Sequence, residues 1–157
     1  AMVGPSPSYI NDLDYPGGFT REDIDALLST LENNYLGWSS AMAPSIMGNP
    51  EKPELGAELT NSFCQTDPDI AKRFARVTFL SDSRADVREL SGPVLVLQSS
   101  DDFIAPRAVG EYLTGVIADC RMVIIENEGH CPHLSQPAAC IDAIQTFLTH
   151  TCGHLSA

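Results

Sequence analysis

The chain holds two short stretches whose residue types could do chemistry. Near the end, Glu128-Gly129-His130-Cys131-Pro132-His133 follows the apolar run "RMVII" and puts two histidines and a cysteine within four residues. Earlier, "GPVLVLQ" runs into Ser99-Ser100-Asp101-Asp102, with Pro106 four residues beyond Asp102. A histidine beside an aspartate is an acid–base device: the carboxylate fixes the imidazole tautomer and stabilises its cation, so the far ring nitrogen can take a proton. The same histidines could instead be metal ligands, with His130, Cys131 and His133 as one set and His150, Cys152 and His154 in the tail as another. Neither set has the spacing of a closed zinc site, and Pro132 stiffens the first, so no metal is expected.

An aspartate and a histidine that lie 28 positions apart meet only if the fold brings two loops together. "GPVLVLQSS" and "RMVIIEN" are apolar, rich in branched residues and too short for helices, which predicts buried parallel strands. Ala105 to Val116 and Ala138 to Thr149 predict the helices that follow them, the second with Ile141, Ile144, Phe147 and Leu148 facing inward. Strand, helix, strand, helix is the order of a parallel α/β layer, whose functional groups collect in loops at the carboxyl ends of the strands. Both polar stretches lie there.

Residues 20 to 80 read differently. Thr20 with Asp23 is a variant capping box, and Ile24, Leu27, Leu28, Leu31 and Tyr35 recur at helical spacing. A second helix is predicted over about Leu36 to Met47, strained or interrupted at Pro44, and "GNPEKP" reads as a linker. Leu55, Leu59 and Phe63 mark a third helix; Asp67-Pro68 opens a fourth, striped by Ile70, Phe74 and Val77.

Strand–SSDDxxxP–helix followed by strand–EGH–helix resembles the carboxyl-terminal half of an α/β-hydrolase, where the triad runs nucleophile, acid, histidine along the chain. "VGPSPSYINDLDYPGGF", "LENNYLGW", "FCQTDPDIAKRFARVTFLSDSRADV", "LQSSDDFIAP" and "GHCPHLSQP" sharpen the likeness to the RsbQ group of bacterial energy-stress regulators, structural cousins of the plant strigolactone and karrikin receptors. The likeness runs from Val3 to about Leu148. It implies an α/β fold, the carboxyl-terminal half of an α/β-hydrolase with parallel strands and flanking helices, carrying a four-helix V-shaped lid. Residues 1–19 would be a strand and loop into the lid, 20–80 the lid, 81–150 the α/β half-core and 151–157 a tail. Asp102 and His130 would be acid and base; Trp38, Met42, Phe79 and Phe103 would line a hydrophobic pocket for a small ester, enol ether or lactone. No cofactor is implied. The resemblance also brings two partners: a regulatory phosphatase, with the protein as a sensor of small molecules, and the hydrophobic ligand itself.

The departure is at the front. No G-x-S-x-G elbow occurs; "GPSPS" has Ser8 in place of the second glycine and prolines beside Ser6, so Ser6 is not expected to be a nucleophile. The opening enters as though mid-strand, which predicts a piece of a larger protein, inactive by itself and associating with an amino-terminal half or another copy.

Composition narrows the partners further. With 43% hydrophobic residues and 157 positions the chain can bury a core, and no run of apolar residues is long enough to span a membrane. A net charge of −12, from 21 acidic against 9 basic residues, repels nucleic acid and anionic lipid. Five widely spaced cysteines with no CxxC pair point to reduced thiols and a cytoplasmic location.

Overall fold

The computed structural model describes residues 1–153. Its elements in chain order are β1 (Met2–Val3), α1 (Arg21–Asn33), α2 (Tyr35–Met47), α3 (Pro53–Gln65), α4 (Pro68–Leu80), α5 (Arg84–Arg88), β2 (Val94–Asp101), α6 (Arg107–Val116), β3 (Cys120–Glu128), α7 (Pro132–Ser135) and α8 (Pro137–Gly153). The three strands form one parallel sheet in the order β1-β2-β3.

The sheet is apolar on both faces because helices cover both, which is why β2 reads as a continuous hydrophobic run. Leu95 and Leu97 point to one face and pack with Ile125, Cys140 and Phe147 under α8. Val96 points to the other and packs with Leu113 and Ile117 of α6 and its following loop. The alternation along β2 thus divides the core between two helices.

Five helices stand between β1 and β2 in the chain, and α1 and α4 show most clearly why they start where they do. The capping box of α1 is complete, Thr20 accepting from the Asp23 amide and Asp23 from the Thr20 amide. Asp67 caps α4 through the amides of Asp69 and Ile70, with Pro68 at the first helical position. Pro44 does not interrupt α2, which runs unbroken to Met47. The proline lies in the last turns, where only one amide is lost, and Gly56 of α3 allows close approach to it: a Cβ there would sit 3.3 Å from Pro44 Cα.

Two expected apolar faces turn out differently. On α4 the half-covered side is Ala71, Ala75, Thr78 and Phe79, and the stripe Ile70, Phe74 and Val77 is 64 to 72% exposed. On α8, Cys140, Ala143, Ile144 and Phe147 follow the sheet, while Ile141 and Leu148 sit outside that stripe and are exposed. Among the described residues no helix is long and apolar enough to cross a membrane.

Candidate functional site

The carboxyl end of β2 delivers two aspartates, and the fold separates them: Asp101 is exposed, and the Asp102 side chain is fully buried. Asp102 Oδ1 accepts hydrogen bonds from the amides of Ile104 (2.9 Å) and Ala105 (3.1 Å), an Asx-type turn that pins one carboxylate oxygen. Gln98, buried in β2, steadies the turn by donating from Nε2 to the Ala105 carbonyl at 2.8 Å. The second oxygen, Oδ2, lies 2.8 Å from His130 Nδ1. With a carboxylate as partner Nδ1 carries the proton, and Nε2 of the neutral ring is the basic nitrogen.

His130 is held by three separate segments. At the end of β1 Gly4 lies against the ring, close enough that a Cβ would come within 3.0 Å of His130 Cε1. The Gly129 amide donates to the Asp101 carbonyl (2.7 Å), joining the histidine loop to the aspartate strand. The His130 amide donates to the Ile46 carbonyl (2.8 Å), joining the same loop to the end of α2.

The other members of "EGHCPH" have different surroundings. Cys131 is partly buried; burial, and then the Asp102 carboxylate, push its thiol above the ordinary range, which disfavours a thiolate. His133 is exposed on α7. Among the described residues no three His, Cys, Asp or Glu side chains converge as a metal site. Of the tail set, His150 lies on α8, whereas the Cys152 side chain and His154 fall outside the described residues. Ser6 spends its hydroxyl on the Ser8 carbonyl at 2.7 Å.

The four aromatic and apolar candidates occupy distinct places. Trp38 stacks on Phe63 of α3 at 6.0 Å between ring centroids. Phe79 meets Tyr9 edge-on at 5.1 Å. Met42 is partly buried on α2, and Phe103, next to the aspartate, is 43% exposed. Tyr9 escapes a reading of sequence because it lies in a proline-serine turn with no periodicity. It is nevertheless close to the aspartate: its phenol is held above the ordinary range by burial and then by the Asp102 charge. Gln98, Asn49 and Asn127 were equally silent, being common residue types with no motif around them.

A parallel sheet that presents an aspartate and a histidine, hydrogen-bonded, from consecutive strand ends can be compared with known proteins on firm ground. The sequence profile of the alpha/beta hydrolase family matches residues 2–143. The chain belongs to that family. It is similar to a karrikin insensitive 2 receptor of Petunia hybrida, 34% identical over 149 residues, covering 94% of this chain and 55% of the receptor. It is similar also to a strigolactone esterase of Arabidopsis thaliana, 34% identical over 138 residues, covering 87% of this chain and 51% of the esterase. Among solved structures, a hydrolase from Oleispira antarctica superposes with a TM-score of 0.85 at 40% identity, over 92% of this chain and 55% of that one. The chain therefore spans about half the length of the relatives it matches. The alpha/beta hydrolase fold accounts for the parallel strands, the flanking helices and the position of polar residues at their carboxyl ends.

Proposed function

We propose that the chain supplies the acid, Asp102, and the base, His130, of a Ser-His-Asp hydrolase acting on a small hydrophobic ester, enol ether or lactone. The reading rests on one observation, the 2.8 Å contact between His130 Nδ1 and a buried carboxylate. In this reading a serine from the remainder of the protein gives its proton to His130 Nε2 as it attacks the substrate carbonyl, and Asp102 stabilises the imidazolium that forms. The nucleophile and the oxyanion-hole amides come from outside this chain, so the chain alone turns nothing over. Helices α1 to α4 are the lid, and Trp38, Met42, Phe79, Phe103 and Tyr9 line the pocket beneath it.

The rest of the protein, or a second copy, is expected to associate along the unpaired edge of β1 and over the exposed Ile141 and Leu148. Among the described residues the thiols of Cys64, Cys120, Cys131 and Cys140 form no disulfide, which suits a reducing cytoplasm. A sensing role through a phosphatase-type partner is the second reading, favoured by the receptors among the relatives. The decisive experiment measures p-nitrophenyl ester hydrolysis by the complete gene product, its Asp102→Asn variant and the isolated chain. A fall in kcat of about a thousandfold or more in the variant, and no turnover by the chain, is expected. Undiminished turnover by the variant overturns the assignment, and absent turnover by the unaltered complete protein together with phosphatase capture favours sensing.

A further inference from the structure

The junction between the end of α2 and the histidine loop is built more tightly than a connection between layers requires. Gly48 and Gly129 face each other so closely that a Cβ on Gly48 would lie 2.4 Å from the Glu128 carbonyl oxygen, and one on Gly129 would lie 2.1 Å from that of Met47. Beside them Asn49, only 4% exposed, takes up a left-handed φ of 53°. That backbone is tolerated by asparagine better than by most residues, and it aims the side chain into the junction. Asn49 Nδ2 reaches the Glu128 carbonyl (2.6 Å), the Met47 carbonyl (3.1 Å) and Asn127 Oδ1 (3.1 Å).

Asn127, 5% exposed, completes the joint from the sheet side. Its Nδ2 donates to the Gly129 carbonyl (2.9 Å) and to Ser99 Oγ (3.2 Å). Its Oδ1 accepts from Asn49 and from the Ser135 hydroxyl. Every polar atom of the amide is used, so the network has one orientation and no slack. The peptide groups on both sides of Gly129 are thereby gripped by side chains, and the second of them is held at its other end too, where the His130 amide donates to Ile46.

We propose that Asn49 and Asn127 are positioning residues that lock the carboxyl end of α2 to the histidine loop and hold His130 against Asp102. The proposal rests on the reading of those two residues as base and acid. It assigns the lock a consequence: α2 cannot shift, as a ligand seated beneath the helices would make it do, without moving the base. Removing the Asn49 amide leaves Asn127 Oδ1 short of a donor in a buried place and the Glu128 carbonyl short of one in a partly buried place, and the loop relaxes away from α2.

The test reads the Asp102–His130 pair directly in this chain, so that it does not depend on catalysis. Proton NMR follows the low-field signal of the His130 Nδ1 proton, and hydrogen exchange follows the His130 amide. Asn49→Gly keeps the left-handed backbone and removes only the side chain. It is expected to broaden or abolish the low-field signal and to speed amide exchange on the order of tenfold, the factor carried by one net hydrogen bond. Ser135→Ala, which takes one donor from Asn127 Oδ1 and leaves the other, gives a smaller rise and remains informative where Asn49→Gly fails to fold. Tyr35→Phe, which deletes the partly buried bond from Tyr35 Oη to the Phe63 carbonyl (2.7 Å) within the helical layer, leaves both signals in place. Unchanged signals in Asn49→Gly and Ser135→Ala, or an equal change in Tyr35→Phe, overturn the lock. An intact lock in a complete protein that hydrolyses nothing refutes the catalytic reading instead.

Discussion

Replacing Gly48 by alanine tests how closely α2 and the histidine loop must meet. Two costs add. Gly48 has φ 61° and ψ −147°, backbone that a side chain reaches only at about 1–3 kcal/mol. The new Cβ would then stand 2.4 Å from the Glu128 carbonyl oxygen and 2.9 Å from the Gly129 nitrogen, both backbone atoms with no rotamer to escape into. Restoring an ordinary contact of about 3.5 Å moves the two segments apart by roughly 1 Å. That displacement carries the bonds from His130 to Ile46 and from Asn49 to Glu128 past useful length, at about 1 kcal/mol each. The sum is about 3–5 kcal/mol of lost stability. Gly115 is the matched control: it lies within α6, and a Cβ there meets nothing within 4 Å. Because both substitutions remove the same freedom from the unfolded chain, that term cancels in the comparison, and Gly115→Ala should gain roughly 0.5 kcal/mol. Urea unfolding followed by far-ultraviolet circular dichroism gives both numbers. A loss of under about 1 kcal/mol in Gly48→Ala would refute the claim that only glycine fits the junction.

Two further outcomes are expected. Leu97 is fully buried between β2 and α8, so Leu97→Ala should cost about 3 kcal/mol in the same urea experiment, with the slope unchanged. Arg84 holds the Asp82 carboxyl below the ordinary range through their hydrogen bonds; the Leu13 amide, and then Arg84, do the same for Asp12. Both carboxyls have an ordinary pKa of 3.8 and are depressed in the fold. Their contribution is therefore complete above that pH and disappears as the pH falls from there through the depressed values. Between pH 5 and pH 3 the urea midpoint should drop less in Arg84→Gln than in the unaltered chain, and the difference should shrink in high salt because the groups are exposed. An identical acid profile for the two would exclude this cluster from acid stability.

The contact between Asp102 and His130 was legible in the sequence and the amide network beside it was not, for a physical reason. An apolar run too short for a helix announces a buried strand, and a parallel sheet gathers the polar groups at strand ends, so "SSDD" and "EGH" point at each other without any contact being known. Choosing Asp102 over Asp101 took the family likeness. The structure separates them by burial, through a turn that folds back on Asp102 Oδ1. Asn49 and Asn127 lie 78 positions apart and meet through side-chain amides, whose types are ordinary in loops. The only local signal was Gly48-Asn49 at the end of an apolar helix, a pattern that also marks a simple helix stop, and "GNPEKP" accordingly reads as a linker.

The exposed stripe of α4 shows the complementary failure. Spacing located an apolar face at Ile70, Phe74 and Val77 and could not say whether anything packs on it. Periodicity reports which residues a helix can bury together; which face wins is decided by the neighbouring elements, and on α4 the partly covered side carries Ala71, Ala75 and Thr78. The same logic explains why α2 escaped a purely periodic description. Tyr35, Ser39, Ala43, Ile46 and Met47 are its buried residues, small and polar ones among them. That helix is fitted to α3 along its length and to the histidine loop at its end. A mostly apolar helix whose last carbonyls bond a neighbouring loop is constrained at two places, and it is the second constraint that brings the helical layer and His130 into mechanical contact.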